Sequence, residues 1–386
     1  MNIGRSGDIL LKSFYKRVIK ILKTMKLKWL KEIPSTCLKG FVEYKIVRHL
    51  KPLPPSIFHF PVTYRCNSKC KMCGIWKKKE RSELSLKEIE NMLTDPIFEN
   101  IKYCGLGGGE PTLRGDLPKI VKLIIYRCKK LKSIGFSTNG LVPSLVLRQS
   151  ETIAEICEKK NITFDITVSL DGLGKTHDTI RGIPGAFERT FETLKRLIEL
   201  KSQKKIGVGI NYVITKWNVD GIFEFYKWFK NNKIPYDFAL ALVQRRLCNE
   251  NFDFVITDSQ LPTVKKFFEI LRKEYPFNYQ YFIQNQILFG KHRKLICPFI
   301  VEGFSIDPNG DVYFCPNSKP IGNIFQKDIS SIYYNSQNLN YRRFIEKRIC
   351  PHCFQNCFWS VSFYKSLDIA IPFFLFSFLK YKLFSK

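Results

Sequence analysis

The sequence predicts an α/β fold built on a parallel sheet, and two observations carry that expectation, with a third that places its chemistry. Apolar, β-branched runs of strand length alternate with segments of helical period from residue 58 to about 244. Glycine-rich or polar tips follow successive strand runs, as they do where ligands gather at the C-terminal ends of parallel strands. Cysteines cluster at 66–73 and at 297–357 instead of spreading evenly.

The expected strands are 58–64, 101–106, 132–137, 163–170, 206–214 and 236–243. Expected helices fall between them, near 85–94, 116–129, 147–159, 186–202 and 219–231. Crossovers between such strands are right-handed, which leaves a barrel or a doubly wound sheet. No internal repeat and no low-complexity tract interrupts the pattern. At 386 residues and 45% hydrophobic content, the chain supports a sizeable core, as two domains or as one with appendages. Thirteen cysteines in a chain of this length do not read as a secreted disulfide scaffold. Thiolates that must stay free imply a reducing compartment. No charged, apolar and small-residue leader pattern opens the chain, so export is not expected and a cytoplasmic placement is.

The densest chemistry lies just past the first strand, in Cys66-Asn67-Ser68-Lys69-Cys70-Lys71-Met72-Cys73. This spacing offers three thiolates. A [4Fe–4S] cluster takes one cysteine per iron, so three ligands leave one iron open to a chelating cofactor. Zinc, or three unrelated buried thiols, are the alternatives. A zinc knuckle wants a fourth Cys or His at short spacing, and His59 sits inside the strand run instead.

The Cys66, Cys70, Cys73 triad resembles the signature of the radical S-adenosylmethionine (radical SAM) superfamily. The resemblance implies that the open iron binds the amino and carboxylate groups of SAM. An electron then cleaves the sulfonium C–S bond and yields a 5′-deoxyadenosyl radical for hydrogen abstraction. The family places an aromatic residue before the third cysteine; this chain has Met72, whose polarizable thioether packs on a ring. Gly108-Gly109-Glu110-Pro111 resembles the family's amino-group motif, and Ser137 to Asn139 its next strand-end motif. Ser169 and Asp171 resemble the residues that reach the ribose, and Asn211 lies on the strand similar to the adenine-contacting one. Read without the resemblance, the glycines let backbone approach a ligand closely, and Asn139-Gly140 and Asp171-Gly172 are good turn formers. The resemblance covers residues 58 to about 245 and implies a partial (β/α)6 TIM-like barrel with a small C-terminal iron–sulfur cluster domain.

In the second cysteine set, Asp307-Pro308-Asn309-Gly310 between alternating runs is a hairpin turn that leads to Cys315. Cys297 precedes it, and Cys350, Cys353 and Cys357 follow in a C-x2-C-x3-C group. Four of these close around one centre, which spacing alone leaves as structural zinc or as iron–sulfur. The pattern resembles the SPASM or twitch extension of radical SAM enzymes, with Gly310 to Cys315 matching its Gly-x4-Cys element. Five cysteines imply a shortened version with one auxiliary [4Fe–4S] cluster. Cys297 and Cys315 are its expected ligands, and the C-x2-C-x3-C group supplies the others.

The expected organisation is a basic amphipathic extension over 1–50, a radical SAM core over 51–250, a helical linker over 251–296, the auxiliary-cluster domain over 297–360 and an apolar tail over 361–386. The family reading implies an electron donor such as a flavodoxin or ferredoxin. It names no substrate; peptides, lipids and sugars all remain open. The formal charge of +29 invites an anionic partner. Segment 9–30 alternates apolar and basic residues, and Ile369 to Leu379 is an apolar run too short to span a bilayer, so peripheral contact with the inner face of an anionic membrane is one expectation and ordinary packing the other. No paired-histidine finger or RNA-type stacking motif is present, so nucleic acid is not the expected partner. The rival function is a non-catalytic, zinc-stabilised basic protein that binds nucleic acid or a membrane surface.

Overall fold

The computed structural model describes residues 35–78, 83–355 and 357–384; the basic segment 9–30 lies outside them. Six strands form in the order and places that the periodicity predicts: β1 (Ile57–Thr63), β2 (Tyr103–Gly108), β3 (Ser133–Thr138), β4 (Thr163–Ser169), β5 (Ile206–Ile214) and β6 (Tyr236–Leu240). Each pairs in parallel with the next. Their sequential order, with no reversal, excludes a doubly wound sheet and gives a partial barrel.

The connecting helices follow from amphipathic patterning. Leu117–Arg127 turns Leu117, Ile120, Val121, Ile124 and Ile125 onto the sheet, at the i, i+3, i+4 spacing of one face. Ser85 starts Leu86–Met92 with a capping box to Glu88. A further helix, Lys175–Arg181, follows β4 and is not among those the sequence pattern predicts.

The second cysteine segment is not a separate sheet. β7 (Gly303–Ile306) pairs in parallel with β1, and β8 (Asp311–Tyr313) and β9 (Gly322–Asn323) continue antiparallel. One nine-stranded sheet therefore runs β6-β5-β4-β3-β2-β1-β7-β8-β9. The expected hairpin is present, with Gly310 in the left-handed region at φ +82.

Buried polar links hold this junction. Glu302 accepts from Tyr44 Oη at 2.5 Å and from Ser56 Oγ at 2.6 Å, and pairs with Lys365. Tyr64 Oη donates to Asp307 at 2.6 Å. The expected linker is helical over Leu261–Glu274 and Tyr279–Leu288. The C-terminal run lies in the helix Leu367–Phe384, which buries Ala370, Phe373 and Ser377 and leaves Phe374, Leu375, Phe376 and Phe378 exposed. Among the described residues no helix is long and apolar enough to cross a membrane.

Candidate active site

The segment 66–74 has almost no regular structure of its own, so its neighbours must fix it. Three of them do so through backbone. Just past β2, Gly109 N donates to Thr63 O and Glu110 N to Arg65 O, both at 2.8 Å, which fixes the chain where it enters the segment. From the end of helix Lys175–Arg181, Arg181 O accepts from Lys69 N and Ile180 O from Lys71 N, both at 2.9 Å. From the loop after β6, Leu247 O accepts from Gly74 N at 2.6 Å, and Asn249 Nδ2 donates to Met72 O at 2.8 Å.

Glycines make these approaches feasible. A Cβ on Gly108 would lie 2.0 Å from Thr63 O, and one on Gly109 would lie 2.2 Å from Arg65 O. Gly108 also has φ +117, where L side chains are strained. The two glycines thus admit the backbone of Thr63 to Arg65, which leads into the cysteine loop.

Cys66, Cys70 and Cys73 line a cavity of about 660 Å³ in the barrel lumen. Burial pushes the Cys66 thiol up to about 11 and the Cys73 thiol up to about 12, with neighbouring cysteines adding to both shifts. Cys297, Cys315, Cys353 and Cys357 line the same cavity. Cys350 stands against Cys297, and its hydrogen bond, with help from Arg293, holds the Cys297 thiol below the usual range. Burial pushes Cys315 up, and Cys357 up to about 11. The two sets, more than two hundred residues apart in sequence, thus share one chamber.

Of the other sequence-expected residues, Met72, Gly108, Gly109, Ser137, Asn139 and Ser169 line this chamber, as does Asn211. Asn139 Nδ2 donates to Asn67 Oδ1 at 2.7 Å and lies 3.9 Å from Cys66 Sγ. Glu110 and Asp171 stand behind the wall. The Glu110 carboxylate accepts from Thr112 N, Thr112 Oγ1, Thr138 Oγ1 and Asn139 N. Its carboxyl is raised by burial, which those bonds partly offset. Asp171 accepts from Val213 N and pairs with Arg181 at 2.6 Å. Burial raises its carboxyl, with Arg181 opposing.

Arg181, which no sequence motif marks, is a buried guanidinium that lines the chamber, pairs with Asp171 and lies 3.6 Å from Cys70 Sγ. Arg246, Phe299 and Phe358, also unmarked by any motif, line the chamber too. The one local signal for Arg181 is the glycine after it. A Cβ on Gly182 would lie 2.5 Å from Lys69 O.

The donor set fits iron–sulfur chemistry. Thiols distributed around a chamber suit a cluster in which each cysteine meets its own iron. The arrangement defines an iron–sulfur protein with a strand-end cofactor site in an open barrel. The family models agree: the radical SAM superfamily matches residues 60–229, and the SPASM iron–sulfur cluster-binding domain matches residues 297–357. The chain carries a radical SAM domain and a SPASM domain.

Among curated proteins, it is 32% identical to the Fe-coproporphyrin III synthase of Methanosarcina barkeri over 49% of this chain and 47% of that one. It is 27% identical to the mycofactocin maturase MftC of Mycobacterium tuberculosis over 68% of this chain and 64% of that one. The alignments therefore span about half to two thirds of these relatives. Among solved structures, Streptococcus suis SuiB bound to S-adenosylmethionine superposes with a TM-score of 0.57 and 18% identity, covering 86% of this chain and 79% of that one. The chain anSMEcpe with bound AdoMet gives a TM-score of 0.58 and 18% identity over 83% of this chain and 98% of that one. At these identities the structures establish the shared fold.

The packing of the cysteine loop generates a paired expectation. Gly108→Ala places a Cβ against backbone at a positive φ and adds strain of about 1–3 kcal/mol. It is expected to lower the melting temperature and the iron held at the first cysteine set. Gly115→Ala, with nothing within 4 Å, is expected to change neither. Thermal unfolding and iron analysis of the two variants check this.

Proposed function

We propose that the protein binds S-adenosylmethionine at a three-cysteine [4Fe–4S] cluster and uses it for hydrogen abstraction from a substrate held in the same chamber. The observation that carries this reading is the convergence of both cysteine sets on one lumen cavity. Bound there and reduced, the cluster would supply the single electron for reductive cleavage of the sulfonium C–S bond of S-adenosylmethionine.

The residues of this chain do the holding. Cys66, Cys70 and Cys73 are the ligands of that cluster. Met72, Gly108, Gly109, Ser137, Asn139, Ser169 and Asn211 meet the cofactor from the strand ends. Glu110 and Asp171 support that wall from behind, one by fixing the turn at Asn139 and the other by holding Arg181. Arg181 places positive charge beside Cys70, where thiolate charge gathers. Cys297, Cys315, Cys353 and Cys357, with Cys350 against Cys297, would hold one auxiliary [4Fe–4S] cluster, which would supply electron transfer or a substrate contact. A flavodoxin- or ferredoxin-type donor supplies the reducing electron. The non-catalytic zinc reading gains no support, because both cysteine sets fall in segments that match radical SAM and SPASM iron–sulfur models.

We also infer peripheral contact with an anionic membrane, at the inner face of a cytoplasmic membrane. The support is the exposed apolar row Phe374, Leu375, Phe376 and Phe378, on a chain of formal charge +29. Exposed apolar residues on a basic protein bind by burial in the headgroup boundary and by charge attraction.

Reconstituted protein is expected to hold about eight irons per chain, four for each cluster. Replacing Cys66, Cys70 and Cys73 together by Ala is expected to abolish 5′-deoxyadenosine formation with dithionite and SAM. Cys315→Ala is expected to remove about four irons. Product formation by the triple variant would refute the assignment, and about one zinc with little iron would refute the whole reading. On anionic vesicles, the full chain is expected to co-sediment and to weaken with salt, and a variant lacking 366–386 to bind less; equal recovery of both in the supernatant at low salt would remove the membrane inference.

A further inference from the structure

The barrel lumen is emptied along one level. Strand register joins Ser305, His59, Gly105, Gly135, Asp165 and Gly207 in a single row across β7, β1, β2, β3, β4 and β5. His59, Gly105, Gly135 and Asp165 all line the chamber. A closed barrel of this kind fills such a level with Val, Ile and Leu. Here glycines leave a floor between a histidine and a carboxylate.

The glycines next to Asp165 are sterically required. A Cβ on Gly135 would lie 2.5 Å from Asp165 O, and a Cβ on Gly207 would lie 2.0 Å from Asp165 Oδ1. The Asp165 carboxylate thus lies over Gly207, in the space a side chain would take. Among the described residues it has no hydrogen bond and no ion pair. The cations of the chamber are engaged elsewhere: Arg181 with Asp171, and Arg246 through Nε with Gln244. Asp237 adds a second carboxylate to the lining.

The opposite end of the floor is aromatic. The Phe358 ring edge lies 3.4 Å from where a Gly105 Cβ would stand, and Phe299 meets Phe358 edge-on at 5.7 Å. Phe358 is held at φ +52, a strained backbone for a bulky residue and one that functional sites retain. His59 adds no charge here, since burial and Arg246 hold it down at about 3. Two strand spacings, about 10 Å, separate Gly105 from Asp165.

We propose that this floor is the substrate specificity pocket and that it takes a protonated amine or guanidinium, paired with Asp165, whose alkyl stem lies along the glycines toward Phe358 and Phe299. The proposal rests on the chamber being the reaction site, and adds the chemical class of what enters it.

The test is calorimetric titration of the reconstituted holoprotein with n-butylammonium, n-butylguanidinium, n-butanol and butyrate. The two cations are expected to bind about tenfold or more tightly than butanol or butyrate. Asp165→Asn is expected to erase that preference. Gly105→Ala, which narrows the floor without changing its charge, is expected to weaken all four alkyl probes alike. Circular dichroism and thermal unfolding establish that both variants are folded. Equal binding of cation and butyrate by the wild type, no heat from either cation at about 10 mM, or a cation preference that survives in Asp165→Asn would overturn the proposal. SAM cleavage by the wild-type batch is read separately: its absence would count against the radical reading, whereas the titration alone decides the charge preference.

Discussion

Strand β1 is the constraint on which the rest depends. It pairs with β2 on one side and β7 on the other, and its C-terminal end runs into the first cysteine loop. The partial barrel and the SPASM segment are therefore joined by main-chain hydrogen bonds in one continuous sheet. That pairing brings cysteines from the two ends of the fold to one chamber. It is reinforced where Glu302, at the entry to β7, collects Tyr44, Ser56 and Lys365. A buried carboxylate with this many partners is a costly element to disrupt, because each partner would be left unsatisfied.

The second constraint is closeness. The cysteine loop is held by main chain just past β2 at its entry, from the end of helix Lys175–Arg181 and from the loop after β6, and Gly74, Gly108, Gly109 and Gly182 each sit where a Cβ would strike backbone. A loop pinned from three directions presents its thiols without needing regular structure of its own. The same economy of side-chain volume hollows the lumen at Gly105, Gly107 and Gly135, so the fold that would bury a packed core keeps a chamber instead.

Much of this was legible in the sequence. The six strands and most helices announced themselves through period, and the Asp307 to Gly310 turn through its residue types. The triad and the Gly310 to Cys315 element carried the family. What period does not encode is partnership across the chain. Nothing local says that β7 pairs with β1, because register between distant strands is a tertiary choice. Glu110 and Asp171 read from sequence as cofactor contacts; the structure puts them behind the wall, bonded to Thr112, Thr138 and Asn139 in one case and to Arg181 in the other. Arg181 went unseen because its burial depends on a partner at Asp171, ten residues before it and outside any periodic pattern, and on Cys70, more than a hundred residues away. Helix Lys175–Arg181 went unseen because it is short and flanked by glycines at 174 and 182.

The central claim is that two different iron–sulfur centres share the chamber and that one of them has an open iron for SAM. Electron paramagnetic resonance of the dithionite-reduced, reconstituted protein, recorded with and without SAM, tests it most directly. The account predicts signals from two [4Fe–4S]+ clusters, with SAM shifting the g-values of one and leaving the other unchanged. Spectra that SAM does not alter, in protein shown to be fully loaded with iron, would contradict it.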